Sequence, residues 1–401
     1  MDEALGRPAS PAEKAFPTPA SDRLLDDACT LLAALRTGIQ PPETGIPVSV
    51  VSAFLEAAKI ILPSHSGEGP GVRWGEVQPD PAKSFLDAPR PKALEMLGGA
   101  WQDSEAFNEL RMVPGLSCEG EWKNQPLETR EFLINLLEAV PEKQWWSLPA
   151  FVRDVKAKYP DFQRPAGDYD SWFIRDTTSG LYLRGAEHWD EVEGALIRFF
   201  ICGPLHWLGM MDLASPETGA PAASFRFSAW AADLLKDKPP AGLHKEDAPL
   251  QVNSDGRLRL PALTPRAVRY QIARFCQWEP ETQGEYRYRI TPAALERARS
   301  QGLRTSHLVG LLRRHAATPP APSLVQALER WDEQGTQATF EKVTILRVAT
   351  PEIMNTLRRS PAGRFLGDPL GATSIIIKEN AAEKVLAALA QMGYLADARI
   401  D

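Results

Sequence analysis

Apolar residues recur at steps of three and four over most of the chain, which is the spacing of amphipathic helices. The segment KALEMLGGAW places Leu94, Leu97 and Trp101 on one face in this way, and LETREFLINLLEAV repeats the pattern. Strict alternation of apolar and polar residues, typical of half-buried strands, is confined to short segments. The pattern predicts an α+β fold that is mostly helical.

A winged-helix-like domain is predicted at residues 127–236. Its pattern is a helix, a short extended segment, a second helix, a long apolar helix and then two strands joined by a Gly/Pro loop. Helices followed by a two-stranded wing have the order of a winged helix. Residues 21–126 are also helical, and we interpret them as a candidate degenerate copy of the same domain.

The remaining segments differ in composition. Residues 1–20 are rich in Pro and Ala and hold few large apolar residues, so they are predicted to be a disordered tail. Residues 237–249, DKPPAGLHKEDAP, are predicted to be a linker. Residues 250–401 open with a hairpin pattern around Ser-Asp-Gly, continue through helices and end in strand–helix–strand–helix order. These roughly 150 residues are enough to bury a core, so we expect them to fold alone.

Composition is that of an ordinary globular protein, with 43% hydrophobic and 24% charged residues and a net charge of -7. The acidic total argues against a surface coated by nucleic acid, but it allows a local basic face. The cysteines Cys29, Cys118, Cys202 and Cys276 lie far apart, so neither a disulfide framework nor a zinc site is expected. The sequence shows no signal-peptide pattern and no long apolar run, so a cytoplasmic protein is predicted.

Known catalytic motifs are absent from the sequence. The segment GDPLGATSIII has no lysine after its glycines and leads into a strand, so it does not match a phosphate-binding loop. Cys202 and His206 stand four apart, as metal ligands can, but large apolar residues dominate their helix and core packing is the favoured interpretation. We expect no enzyme activity, cofactor, metal, membrane contact or small-molecule substrate; an enzyme with an unrecognised site is the alternative.

Positive charge is concentrated at residues 286–330. This stretch holds eight arginines and two acids, so its net charge is +6 while the rest of the chain carries -13. The planar guanidinium pairs in two-pronged fashion with carboxylate or phosphate. Three interpretations stay open: a solvated surface, an acidic face on a partner or on the first 250 residues, and a nucleic-acid backbone. The candidate binding residues are Arg287, Arg289, Arg297, Arg299, Arg304, Arg313 and Arg314.

The segments YRYRITPAALERARSQGL, VTILRV and SIIIKENAAEKVLAALAQMGYL occur in a specific order. With them, residues 250–396 resemble the N-terminal accessory domain of the XPB helicase family. The resemblance implies a docking module, and a similar domain occurs in the winged-helix subunit of TFIIH that grips XPB. Bacterial helicase-associated chains of this broad type also exist. Because no motor sequence accompanies the domain here, the resemblance implies a non-enzymatic protein.

The predicted function is an adaptor that binds a protein partner, such as a helicase or another DNA-processing machine; whether it also binds DNA stays open. The alternative is a regulator that binds DNA directly through the arginines. The helix before the predicted wing begins with Asp190 and Glu191, whose charge opposes phosphate. We therefore interpret the winged-helix-like domain as a scaffold and not as a reader of the DNA major groove.

Overall fold

The fold is α+β and 45% helical. The computed structural model describes residues 4–63, 75–165, 167–282 and 284–398. The chain divides into two compact units, residues 1–333 and residues 334–401. The predicted fold class is confirmed.

The first unit holds twelve of the described α-helices. They are α1 (Arg23–Thr37), α2 (Val48–Ala57), α3 (Pro79–Asp87), α4 (Arg90–Gln102), α5 (Pro126–Glu138), α6 (Leu148–Lys158), α7 (Trp189–Phe200), α8 (Ala231–Leu234), α9 (Arg266–Phe275), α10 (Pro292–Ser300), α11 (Thr305–His315) and α12 (Pro322–Gln334). Several start where the sequence signals predict, because Pro occupies the first turn or Ser147 or Thr291 caps it.

Ten described strands accompany these helices. They are β1 (Phe16–Thr18), β2 (Leu116–Glu119), β3 (Trp146–Ser147), β4 (Phe173–Asp176), β5 (Met211–Ser215), β6 (Ser224–Phe227), β7 (Gln251–Val252), β8 (Arg257–Pro261), β9 (Cys276–Thr282) and β10 (Glu285–Ile290). They form two four-stranded sheets, in the orders β1-β5-β6-β3 and β7-β8-β10-β9, and the pair β2-β4. All these pairings are antiparallel.

The segment from α5 to β6 has the predicted order of elements. Strands β5 and β6 form an antiparallel hairpin after α7, and β3, just before α6, pairs with β6 through Trp146 opposite Phe225. Phe151 of α6 packs edge-on against Phe225 at 5.7 Å between ring centroids. The helices and the hairpin therefore share one apolar core.

The N-terminal residues differ from the prediction of a disordered tail. Strand β1 pairs with β5, and Leu5 is buried. The Trp146 indole N–H donates to the Leu5 carbonyl at 2.6 Å, and the Ser224 hydroxyl donates to the Glu13 carbonyl at 2.9 Å. Backbone pairing and two long-range hydrogen bonds order this segment, and neither is visible in its composition. Residues 1–3 lie outside the described residues.

The division between the two units also differs from the predicted boundaries. The predicted linker at 237–249 lies inside the first unit, where Glu246 accepts from Arg90 at 2.9 Å and from Arg266 at 2.7 Å. Arg269 of α9 donates to the Asp26 carbonyl of α1 at 2.6 Å. These buried contacts, together with a continuous hydrophobic core, join the segments before and after the linker into one unit. The segment itself is mostly exposed, and its polar composition does not show that Glu246 pairs with buried arginines of distant elements.

The second unit consists of β11 (Thr344–Arg347), α13 (Pro351–Arg359), β12 (Leu366–Pro369), β13 (Ser374–Ile377) and α14 (Ala382–Gln391). Its antiparallel sheet has the order β11-β13-β12, and a separate core is formed around buried Met354, Leu357 and Ile375. The sequence predicts strand–helix–strand–helix order for this unit, and the structure adds one strand, β12, between α13 and β13. Only Leu366 of that strand is buried, so its sequence carries no alternation.

Candidate functional site

The sheet β7-β8-β10-β9 presents two faces of opposite character. A turn with Gly256 at φ 80° joins β7 to β8, and this left-handed conformation favours glycine. The Ile290 N–H donates to the Gly256 carbonyl at 2.9 Å, which ties the end of β10 to the same turn. Successive residues of each strand then point to opposite faces.

The inner face is apolar and aromatic. Leu258, Leu260 and Tyr288 are buried there. Burial raises the pKa of the Tyr288 hydroxyl above its ordinary value. The Arg269 guanidinium of α9 lies 3.9 Å from the ring centroid of Tyr286. This packing fixes the register of the strands, because a shift by one residue would exchange the faces.

The outer face carries four arginines in two directly opposed pairs. Arg287 of β10 lies opposite Arg259 of β8, and Arg289 lies opposite Arg257. Residues paired in this way project from the same face, and adjacent strands are about 4.8 Å apart. We call these four residues the arginine face.

Few acids balance the arginine face. Arg257 approaches Asp255 at 3.8 Å, and both side chains are more than half exposed. Within the described residues, Arg259, Arg287 and Arg289 have no ion pair. Glu279 of β9 lies opposite Arg287 in the strand register, without an ion pair between the two side chains.

Arg287 is the most enclosed member of the arginine face. Its Nε is buried and has no hydrogen-bond partner among the described residues. A buried donor without a partner costs free energy, and like charges directly opposite each other on a sheet are also destabilising. An anion placed on this face would neutralise the opposed like charges.

Two of the predicted arginines are engaged in local contacts instead. The Arg297 guanidinium donates to the Cys276 carbonyl at 2.8 Å, and burial lowers the pKa of Arg297. Arg299 pairs with Glu296 at 3.3 Å and stacks over Trp331 at 4.4 Å from the ring centroid. These contacts tie α10 to its neighbours.

The other three predicted arginines lie at the two ends of α11. Arg304 precedes the helix and is exposed, and Arg313 and Arg314 are exposed in its last turn. Basic residues in a last turn interact favourably with the helix dipole. Of the seven predicted site residues, the structure therefore brings only Arg287 and Arg289 into the arginine face.

Arg257 and Arg259 were not predicted as site residues. The sequence holds a usable signal for them, because GRLRLP and YRYRI both have arginines two residues apart. When two such segments pair as antiparallel strands with arginine directly opposite arginine, all the arginines project from the same face of the sheet.

A different set of arginines meets the acids of the first 250 residues. Arg90 pairs with Asp22 at 2.5 Å and with Asp26 at 2.9 Å, and its side chain is 2% exposed. Arg266 and Arg269 of α9 complete this buried junction. Hydrogen bonds to Asp22 and Asp26 raise the pKa of Arg90 against the opposing effect of burial. An internal acidic partner thus exists, but for arginines outside the predicted set.

Cys202 and His206 are half-buried, and Cys202 packs against the core. Burial raises the pKa of the Cys202 thiol to about 12, and the His206 Nδ1 lies 2.8 Å from the Met211 carbonyl oxygen. In the described ranges no group of three or more His, Cys, Asp or Glu side chains is arranged to hold a metal ion. The core-packing interpretation of Cys202 is confirmed.

Comparison with known families relates part of the chain to helicases. Residues 250–367 match the model of the helicase conserved C-terminal domain. The match covers less than a third of the chain, and it includes the whole β7-β8-β10-β9 sheet and therefore the arginine face. No curated protein matches the chain at a significant level. Across the described segments, no helix combines the length and apolar character needed to cross a membrane.

Proposed function

We propose that this chain is a non-enzymatic, helicase-associated adaptor that contacts the phosphate backbone of nucleic acid through the arginine face. The observation that carries the proposal is the direct opposition of Arg287 to Arg259 and of Arg289 to Arg257. Four guanidinium groups on adjacent strands form a compact cationic surface. The helicase-type domain that contains this surface supports a nucleic-acid context.

The arrangement favours a polyanion over plain solvation. A solvated arginine surface gains nothing from opposed like charges, whereas a row of phosphates is neutralised by them. Guanidinium groups suit phosphate because two parallel N–H groups reach two oxygens at once. Contacts of this kind fix position without reading sequence, so binding should be largely independent of base sequence.

The segment α5–β3–α6–α7–β5–β6 is the proposed winged-helix-like scaffold. Its strand pairing and its hairpin after α7 support that assignment. Most residues of α7 are buried, including Trp189 and Glu193. Glu193 accepts from the buried Arg164, whose guanidinium also stacks over Trp172 at 4.5 Å. With most of its surface buried and Asp190 and Glu191 in its first turn, α7 offers little to a DNA groove, which supports the scaffold role.

A protein partner is the second component of the proposal. The XPB-like docking role implied by the sequence resemblance concerns residues 250–396, and the family match at 250–367 supports the coarser helicase link. We propose that a helicase or another DNA-processing machine is the partner. The nucleic-acid component is tested by binding of the purified chain at several salt concentrations, and the non-enzymatic component by an ATP hydrolysis assay with and without DNA, in which no turnover is expected.

A further inference from the structure

A concave pocket of about 280 Å³ lies in the first unit, and no residue of the arginine face lines it. Residues of α1, α3 and α9 line it. Its charged and polar lining consists of Arg36, Lys83, Asp87, Tyr270, Gln271 and Arg274. Three cations and one carboxylate give this lining a net charge of +2. The volume is near the lower end of the range for small-ligand sites, about 300 Å³.

Arg274 is the distinctive member of this pocket. It is 8% exposed, yet its hydrogen bonds go to two neutral amide oxygens, Gln301 at 3.1 Å and Gln271 at 3.1 Å. Among the described residues, no carboxylate pairs with it. Burial lowers the pKa of the Arg274 guanidinium, and the nearby Arg36 charge lowers it further. Buried charges are ordinarily paired, so this site lacks a counter-ion.

Part of the pocket wall is apolar. Ala82 and Leu86 of α3 and Ala267 of α9 line it, and the Tyr270 ring lies 5.7 Å from the Arg274 guanidinium carbon. A ligand that fits must therefore join an anionic group to a small flat or apolar body. A phosphate monoester carries a charge of about -1.5 to -2 at neutral pH, which matches the lining.

We infer that this pocket binds a small phosphate monoester, with the phosphate against Arg274, Arg36 and Lys83 and the organic body against Tyr270 and the apolar wall. Asp87 lies at the same pocket and excludes ligands that carry negative charge on the body as well. The inference is independent of the proposed nucleic-acid contact, because none of the pocket residues belongs to the arginine face.

Calorimetric titration of the full chain tests this site with phenyl phosphate, inorganic phosphate and phenol as probes. We expect saturable 1:1 binding of phenyl phosphate, weaker binding of inorganic phosphate and none of phenol. Arg274→Gln should weaken phenyl phosphate at least about tenfold, because a hydrogen bond between charged groups is lost. Arg36→Ala alters an exposed residue and keeps the test valid if Arg274→Gln does not fold.

Two matched variants complete the design. Lys158→Ala removes an exposed positive charge on α6 and should leave binding unchanged. Arg259→Gln with Arg287→Gln should also leave it unchanged; loss of binding there would place the phosphate on the arginine face and overturn the inference. Absence of saturable binding at millimolar phenyl phosphate, or inorganic phosphate binding as tightly as phenyl phosphate, would equally contradict it.

Discussion

Arg287 on β10 lies directly opposite Arg259 on β8, and both project from the outer face of the sheet. The opposite face of the same strands packs Leu258 and Tyr288 into the core. The register that buries the core thus also fixes the position of the like charges. Repulsion between the opposed arginines therefore lowers the stability of the sheet, and this loss of stability can be measured.

Replacing one arginine of the pair should stabilise the isolated chain. Arg259→Gln removes the like-charge opposition, so we expect the free energy of unfolding to rise by about 0.2–1 kcal/mol in urea titrations at low salt. High salt screens the repulsion, so the gain should shrink there. A loss of stability at low salt would show that Arg259 has a structural role, which the proposed function does not include.

Removing an arginine from the buried junction should instead destabilise the chain. Arg90→Ala leaves Asp22, Asp26 and Glu246 without their shared partner, so we expect a loss of about 3–5 kcal/mol in the free energy of unfolding. Lys92→Ala on the same helix is the control, because the Lys92 side chain is half exposed in its pair with Glu95 and its loss should cost under about 1 kcal/mol. Similar urea midpoints for the two variants would contradict the assigned junction.

Asp27 should make stability depend on pH. Burial raises the pKa of the Asp27 carboxyl to about 6, and the neighbouring Asp26 charge raises it further. The charges of Arg23 and Arg269 and a hydrogen bond from the Ile46 N–H oppose this rise. Because the folded pKa exceeds the unfolded one, the folded state binds more protons, and stability falls as pH rises from about 4 through 6. Asp27→Asn lacks this titration.

The measurement for Asp27 is the difference in unfolding free energy between Asp27→Asn and the wild type. Between pH 4 and pH 7 the variant should gain about 2–3 kcal/mol in unfolding free energy relative to the wild type, because a shift of about two pKa units corresponds to that energy. Taking the difference cancels the other titrating groups. A difference that is constant with pH would show that Asp27 has an ordinary pKa.

Fragments should follow the division at residues 333 and 334. We expect residues 1–333 to unfold in one cooperative transition. In a fragment of residues 250–401, the face of α9 that carries the buried Arg266 and Arg269 loses its partners from the first 250 residues and becomes exposed. This fragment should therefore aggregate or bind residues 1–236 added in trans. A soluble 250–401 fragment with its own cooperative melt would instead support the boundary predicted from sequence.

Local signals explain most of the fold that the sequence predicts. Thr291 caps α10 as expected, because its hydroxyl accepts from the Ala294 N–H at 3.3 Å. The Ser-Asp-Gly turn forms the β7–β8 hairpin, and YRYRI is a strand. Caps, turns and alternation depend on a few neighbouring residues, so a single sequence carries them.

Long-range contacts explain what the sequence does not predict. The N-terminal strand depends on β5, about two hundred residues away, and the predicted linker is joined to the first unit through Glu246, which pairs with Arg90 and Arg266. For the site, Arg287 and Arg289 were found by charge counting, whereas Arg257 was missed since it lies outside the charged run. Which arginines share a face depends on strand register, and charge density along the chain does not report it.

Salt dependence of nucleic-acid binding tests the central claim most directly. We compare the wild type, Arg259→Gln with Arg287→Gln, and the charge-matched control Arg153→Gln with Lys158→Gln on α6, using single- and double-stranded DNA of unrelated sequences. Each phosphate contact contributes about 0.7–0.9 to the slope of log affinity against log salt. The account predicts that the arginine-face variant loses about 1.4–1.8 from the slope on every sequence and the control loses none. Equal slopes for all three proteins, or no binding by the wild type at low salt, would contradict it.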